Sequence, residues 1–546
     1  MKQPKGKHLI ALALLALPAL LCAAPLPETE LALQQKIEAR ILGDRTGACL
    51  QAALIDKGQV LRARVCAGTR KDPAPAPDAA FEIGSVTKTM TAYLVQGLVA
   101  SGKWSLDDPI AKHLPEGTAV PRQGERQILV RDLLTHSSGL PGLPPGMAMG
   151  DMSNPYATLT EAQLLASLAQ VKLARAIGSQ AEYSNYAMML LSLAVARSLG
   201  GDYEAALREQ LFKPLGMGKA YVSKPAGAMP AAGHLPTGEP TPAWTIATNL
   251  AGVGMVKATL ADMESYARAQ LGEGPAAPVA LMRQTQHPLA HGFAMNWMRR
   301  SLQGRELVMH EGGTGGFSSL VALEPGAQRG VVLLADTSLA DLGGLSDLGL
   351  ALLGLDGPAL KSRKAAEAPA ALRKAMAGEY ELAGMKVKVW EQGDKLMAQA
   401  TGQGELELRY DSYGDFYPQG FSALLRPQPP VNGVVERFAW RQMGGLMEGR
   451  RVGLVEAAPS ISNAAWRDWA GEFQLMPQFS LKVFERDGRL MVQGTGQPAI
   501  AAEATGKDRI EIKAVGAVVE FERDGTGQVV AAVLLQGGQK LRGAKK

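Results

Sequence analysis

The chain repeats itself. Ala377-Gly378-Glu379-Tyr380-Glu381-Leu382 returns as Ala470-Gly471-Glu472-Phe473-Gln474-Leu475. Lys395-Leu396-Met397-Ala398-Gln399-Ala400-Thr401-Gly402-Gln403 returns as Arg489-Leu490-Met491-Val492-Gln493-Gly494-Thr495-Gly496-Gln497, and Gln442 returns as Gln536. The offset holds at 93 to 94 residues across these blocks. Register kept over separated blocks means two copies of one small domain. Each copy carries short alternating segments, such as Lys386-Val387-Lys388-Val389 and Val518-Val519-Glu520-Phe521. Such alternation is the pattern of strands with one buried face. Two antiparallel β-barrels are therefore expected, over 372–457 and 462–546, joined by alanine-rich Glu456–Ala465.

Ahead of the copies, 357–371 is rich in Ala, Lys and Pro without apolar periodicity and reads as a linker. The stretch before it, 25–356, mixes apolar helices with short strands. Leu31–Leu42 reads as a helix, and another begins near Ser85 and runs through Val99. Tyr186–Leu199 is an apolar helix stopped by Gly200-Gly201. Val331–Ala335 reads as a buried strand. At 546 residues the chain is too long for one core.

The first 24 residues read as a signal peptide: Lys2, Lys5 and Lys7 precede an apolar run, Leu9–Leu21, too short to span a bilayer. Leu21 is too large for lipid attachment at Cys22, so simple secretion, to a bacterial periplasm, is the expectation. Losing those lysines takes the formal charge from +5 to +2. No basic cluster interleaves with aromatics, so nucleic acid is not an expected partner, and no integral membrane segment is expected in the mature chain. Cys49 and Cys66 remain after processing. Between them, Asp56-Lys57-Gly58-Gln59 signals a hairpin turn. With Lys57-Gly58 as the turn, the ladder sets Cys49 opposite Cys66, and an oxidising compartment then favours a disulfide.

The chemistry centres on Ser85. Phe81-Glu82-Ile83-Gly84 reads as a strand end and a glycine turn, after which Ser85 opens an apolar helix. Lys88, three residues on, shares its face. A helix start also favours negative charge at that point. Alone, Ser-x-x-Lys is more often an N-cap serine beside a solvated lysine. Other motifs decide against that reading here: Trp104-Ser105-Leu106-Asp107-Asp108-Pro109, Leu133-Leu134-Thr135-His136-Ser137-Ser138-Gly139-Leu140, Tyr183-Ser184-Asn185, Pro214-Leu215-Gly216-Met217, His310-Glu311-Gly312-Gly313 and Gly315-Gly316-Phe317.

With these motifs, most of 30–356 resembles the penicillin-recognising serine hydrolases: class C β-lactamases, D,D-carboxypeptidases, related esterases and D-aminopeptidases. The resemblance implies an α/β fold, with an antiparallel sheet flanked by helices and the site between sheet and helical region. It makes Ser85 the nucleophile and Lys88 its proton partner. It makes Tyr183 the phenol that deprotonates Ser85 or protonates the leaving group, and either Lys88 or Tyr183 the general base. Asn185 would bond the substrate amide, and the N–H groups of Ser85 and Gly313, beside Gly312, would form the oxyanion hole. Many relatives carry Lys-Thr-Gly where this chain has His310-Glu311-Gly312. A neutral imidazole holds a substrate carboxylate less firmly than an ammonium does, which argues against efficient penicillin hydrolysis.

A catalytic domain followed by two lipocalin-like barrels is similar to the D-aminopeptidase layout, in which a loop of the last barrel enters the site. The polar stretch Ala504–Arg509, with Glu503 or Asp508, would be that loop. The expected function is a secreted serine hydrolase that forms an acyl-enzyme on Ser85. Its substrates would be small peptides, amides or esters, foremost D-amino-acid-containing peptides, as in a D-aminopeptidase or D,D-carboxypeptidase. The alternatives are an esterase or weak β-lactamase, and a non-catalytic penicillin-binding or ligand-sensing protein. No cofactor or metal is expected. His287 and His291 have zinc-like spacing, but Pro288 between them argues against the helix this needs. No Gly-x-Ser-x-Gly is present.

Overall fold

The computed structural model describes 25–546 except 71, 148–150, 226, 443–444, 454–462, 477, 487–488, 498, 507, 513–514, 516 and 537–538. The predicted signal segment with Cys22, and most of Glu456–Ala465, lie outside the described residues. The chain divides into two compact units after Arg451. The first holds the mixed α/β region and the first barrel; the second holds the second barrel.

Helix α1 (Glu30–Ile41) leads into hairpin β1 (Cys49–Asp56) and β2 (Gln59–Cys66). Lys57 and Gly58 both have positive φ, 50° and 84°, as a two-residue turn matched to strand twist requires. The turn fixes the register, and Cys49 faces Cys66 across it with the two joined by a disulfide. The hairpin joins β3 (Met298–Leu302), β4 (Arg305–Gly313), β5 (Ser318–Glu324) and β6 (Arg329–Ala335) in a six-stranded antiparallel sheet of order β2-β1-β6-β5-β4-β3. In β6, Val331, Leu333 and Ala335 enter the core under α1, while Val332 and Leu334 enter the core shared with the helical region. Apolar cover on both faces explains why the strand reads as an unbroken apolar run.

Two buried helices cross the helical region. In α2 (Thr87–Ala100), the run Thr87–Val95 is wholly buried, and in α3 (Asn185–Ser198), Tyr186–Ala196 is. Ser184 caps α3, its Oγ accepting from Ala187 N at 3.0 Å, and Gly200 and Gly201 with positive φ follow its end. Among the described residues no helix is long and apolar enough to cross a membrane.

The first barrel closes on itself, because Leu406–Asp411 pairs with both Lys395–Ala400 and Phe416–Pro418. A short helix, Ala370–Met376, enters it, and Ala375 and Met376 join its core. The expected linker is partly structured: Ala365–Ala366 pairs with Leu406–Asp411. Arg363 is buried against Asp411 and Asp415, both at 2.8 Å, and its N–H donates to Asp44. Arg45 adds an ion pair to Asp411 at 3.0 Å and lies over the Tyr417 ring. These contacts are polar, so no apolar period marks them in the sequence.

The second barrel is nearly closed, its edge strands Ile500–Ala501 and Glu503–Gly506 being consecutive in the chain. It too is entered by a short helix, Asn463–Trp469, ending on buried Trp469. The loop expected over Ala504–Arg509 is instead a hairpin: Glu503–Gly506 pairs with Arg509–Ile512. Asp508 accepts from Trp469 Nε1 and Arg523 Nε. The polar texture there belongs to the solvent faces of two strands.

Candidate active site

Ser85 sits in a single 3-10 turn, Gly84–Val86, that runs straight into α2. Two glycines let this turn meet the sheet. Gly84 has φ 50°, and a Cβ there would lie 2.5 Å from Gly313 N. A Cβ on Gly312 would collide with Ile83 O. The end of β4 is thus pressed against the backbone that carries Ser85, and Ser319 Oγ on β5 ties the two by donating to Ile83 O at 2.7 Å.

Lys88, one helical turn on, brings Nζ to 2.8 Å from Ser85 Oγ and 2.5 Å from Val253 O. It is fully buried, and among the described residues no carboxylate pairs with it. Burial holds its pKa well below the ordinary lysine value. Tyr183 stands beside the same pair, with Lys88 Nζ 4.9 Å from its ring centroid. Tyr183 keeps 41% of its surface open to the cleft. Desolvation of its hydroxyl raises the phenol pKa, and the neighbouring Ser85 side chain opposes that rise. The two directions together favour a neutral amine and a neutral phenol around the serine.

Strand alternation assigns the neighbours on β4. His310 takes the face toward the helices, whereas Glu311 turns to the other face, where its Oε1 accepts from Leu345 N ahead of the helix Ser346–Leu352. Glu311 therefore stands behind the strand, outside the cleft. His310 is buried, and Nδ1 lies 2.6 Å from Glu311 O. Burial lowers its pKa to about 3, so the ring is neutral. With Nδ1–H donating to that carbonyl, Nε2 is an acceptor, and it has no partner among the described residues. Asn185 opens α3, its Nδ2 donating to Tyr156 Oη at 3.2 Å and its Oδ1 unpartnered among the described residues.

The sequence reading assigned no role to His136, and the structure gives it one. Its backbone is left-handed, φ 54°. This lets its carbonyl accept from Glu182 N at 2.8 Å while its Nδ1 accepts from Ser184 N at 3.2 Å. Its ring lies 4.4 Å from the Tyr183 ring. His136 thus grips the residues on either side of Tyr183. Burial holds its pKa well below the ordinary histidine value and keeps it neutral, which the acceptor role of Nδ1 requires. Tyr156 and Trp244, stacked edge to face at 5.5 Å, complete the wall behind Asn185. The signal for His136 was its place in the Thr-His-Ser-Ser block; Tyr156 lies in an irregular segment that carries none. His287 and His291 lie beyond the end of the nearest helix, Ala276–Thr285, and His291 Nε2 meets Gly178 O.

Comparison with known proteins matches the family described as Beta-lactamase to residues 35–353, over half of the chain. A stretch of 144 residues is 38% identical to the D-alanyl-D-alanine-carboxypeptidase/endopeptidase AmpH of Escherichia coli K12, covering 26% of this chain and 37% of that protein. Over 291 residues the chain is 30% identical to Penicillin-binding protein 4 of Amycolatopsis lactamdurans, 49% of this chain and 74% of that protein. Among solved structures, a β-lactamase/D-alanine carboxypeptidase from Yersinia pestis, complexed with citrate, shares the fold. It is 23% identical with a TM-score of 0.50, over 59% of this chain and 98% of that one. Fold and relatives define a serine hydrolase. The chain belongs to the β-lactamase family.

Proposed function

We propose that the protein is a secreted hydrolase that forms an acyl-enzyme on Ser85 and cleaves amide or ester bonds of peptides containing D-amino acids. The observation that carries this reading is Lys88, a buried amine with a lowered pKa, 2.8 Å from the Ser85 hydroxyl. As a neutral base it takes the serine proton while Val253 O orients it. The Ser85 Oγ–carbonyl bond forms as that proton leaves, and the developing oxyanion is met by the N–H groups of Ser85 and Gly313. Tyr183, protonated and beside Ser85, relays a proton to the departing amine or alcohol. Water then attacks the ester by the reverse route. Asn185 orients the substrate amide. The names of AmpH and Penicillin-binding protein 4 support a peptide or penicillin-like acyl group.

Neutral His310 favours one branch of this reading. An acceptor nitrogen suits a substrate N–H or O–H, as in a D-aminoacyl amide or ester, better than the free carboxylate of a penicillin or a D-Ala-D-Ala end. The test offers a D-alanine p-nitroanilide, a p-nitrophenyl ester and a chromogenic penicillin to the full chain, with intact-mass detection of the adduct. We expect turnover of the first two to exceed that of the penicillin, one adduct on Ser85, and loss of about 10³-fold or more in Ser85→Ala. An adduct elsewhere, or undiminished turnover in Ser85→Ala, overturns the mechanism. Preference for the penicillin overturns the substrate branch.

A further inference from the structure

The first barrel is hollow at one end. Val389, Ala398, Leu408, Leu425 and Phe438 line a cavity of about 170 Å³. The far end is shut by the entering helix Ala370–Met376, fastened by Tyr380 Oη donating to Met376 O at 3.0 Å and by Arg451 donating to Ala375 O. The near end is a mouth formed by Met385, Gln403, Phe421 and Gln442. Met385 at this mouth is 39% exposed. Trp440 Nε1 donates to Gln442 Oε1 at 3.1 Å and so orients the amide at the rim.

The sister barrel shows that this hollow is not demanded by the fold. Gly378 pairs with Val389 in the first barrel and Gly471 with Val483 in the second, which sets Met385 equivalent to Phe479. In the same register Ala400 corresponds to Gly494, and Ala398 to Val492. A Cβ on Gly494 would lie 2.9 Å from the Phe479 ring. The second copy therefore puts an aromatic ring and a larger aliphatic chain where the first keeps methionine and alanine. An apolar void destabilises a core in proportion to its volume. The first barrel retains one that two ordinary substitutions would fill.

The lip of the cavity also reaches the catalytic strand. Ser422, beside Phe421, donates to Asp341 Oδ2 at 2.9 Å. Ala340, next to Asp341, has its Cβ 3.4 Å from where a Cβ on Gly313 would stand.

We propose that the first barrel binds the apolar end of a small carboxylate. Its carbonyl oxygens would meet the amides of Gln403 and Gln442, and occupancy would be felt at Gly313 through Ser422 and Asp341. A dry apolar cavity of about 150 Å³ accepts benzene, so the buried part holds about six to eight carbons. The turnover effect rests on the hydrolase reading above; the binding does not.

The test titrates the full chain calorimetrically with straight-chain carboxylates from butanoate to dodecanoate. We expect one saturable site with tightest binding near hexanoate to octanoate and a change in ester turnover on saturation. Ala398→Leu and Met385→Phe, the latter copying the second barrel, should each weaken binding at least tenfold. Ser422→Ala should leave binding intact and remove the turnover effect. No saturable binding, affinity that climbs steadily through dodecanoate, or parent-like binding in both filled variants overturns the site. Binding without any change in turnover overturns the coupling.

Discussion

Lys88 sets the pH behaviour of the molecule. Between its lowered folded pKa and the ordinary 10.5, the unfolded chain binds a proton that the folded chain does not. Its contribution to stability therefore rises with pH across that window and is at its worst below it. Relative to the parent, Lys88→Met should gain stability near pH 7, lose that advantage by about pH 10, and hydrolyse about 10³-fold more slowly. Thermal scans across pH check the sign, and an advantage that grows with pH contradicts a buried neutral amine. The rate profile follows from the same group. Turnover should rise on one limb as Lys88 deprotonates, with no inflection near 6.5 from His310, whose pKa of about 3 keeps it neutral throughout. His310→Gln should lower the rate about tenfold without moving that limb; loss of an inflection near 6.5 in this variant would show a titrating imidazole instead. Helical spacing makes Ser85 and Lys88 neighbours, and the surrounding motifs marked that pair as the candidate site. Tyr183 and His310 were legible only through motifs. His136 and Tyr156 meet the site across long loops, and no local period records such contacts.

Elements meet here where side chains are missing. The Ser85 turn and β4 approach closely because Gly84 and Gly312 have no Cβ. Gly312→Ala should therefore cost about 1–3 kcal/mol through overpacking and lower turnover far more than its stability loss explains. Denaturant unfolding and kcat measured together separate the two, and a variant with parent-like kcat would show that strand and turn need not touch. The β1–β2 hairpin was readable to the residue, since a two-residue turn fixes every pair in the ladder. The direction of Glu311 follows from strand alternation once β4 is placed. The Ala504–Arg509 hairpin was misread because a strand pair with solvated faces shares the composition of a loop.

At the scale of the whole chain, the repeat announced two barrels, yet it was silent on how firmly each is held. The division falls after Arg451, so a chain ending there should fold and still label Ser85 with a fluorophosphonate. Failure to fold would make the second barrel part of the same cooperative unit. Within the first unit, Arg363→Ala should cost about 1.5–3 kcal/mol, because Asp411 and Asp415 each lose one charged hydrogen bond while keeping Arg45 and Arg426. The segment carrying Arg363 looks like the natural place to cut the hydrolase free of its appendages. A cut there would instead strip Arg45 of Asp411 and leave Asp44 without the Arg363 N–H it accepts from. For anyone grafting or recombining these modules, the hydrolase and its first barrel make a single transplantable block. A seam drawn by composition alone would run through its most tightly bonded joint.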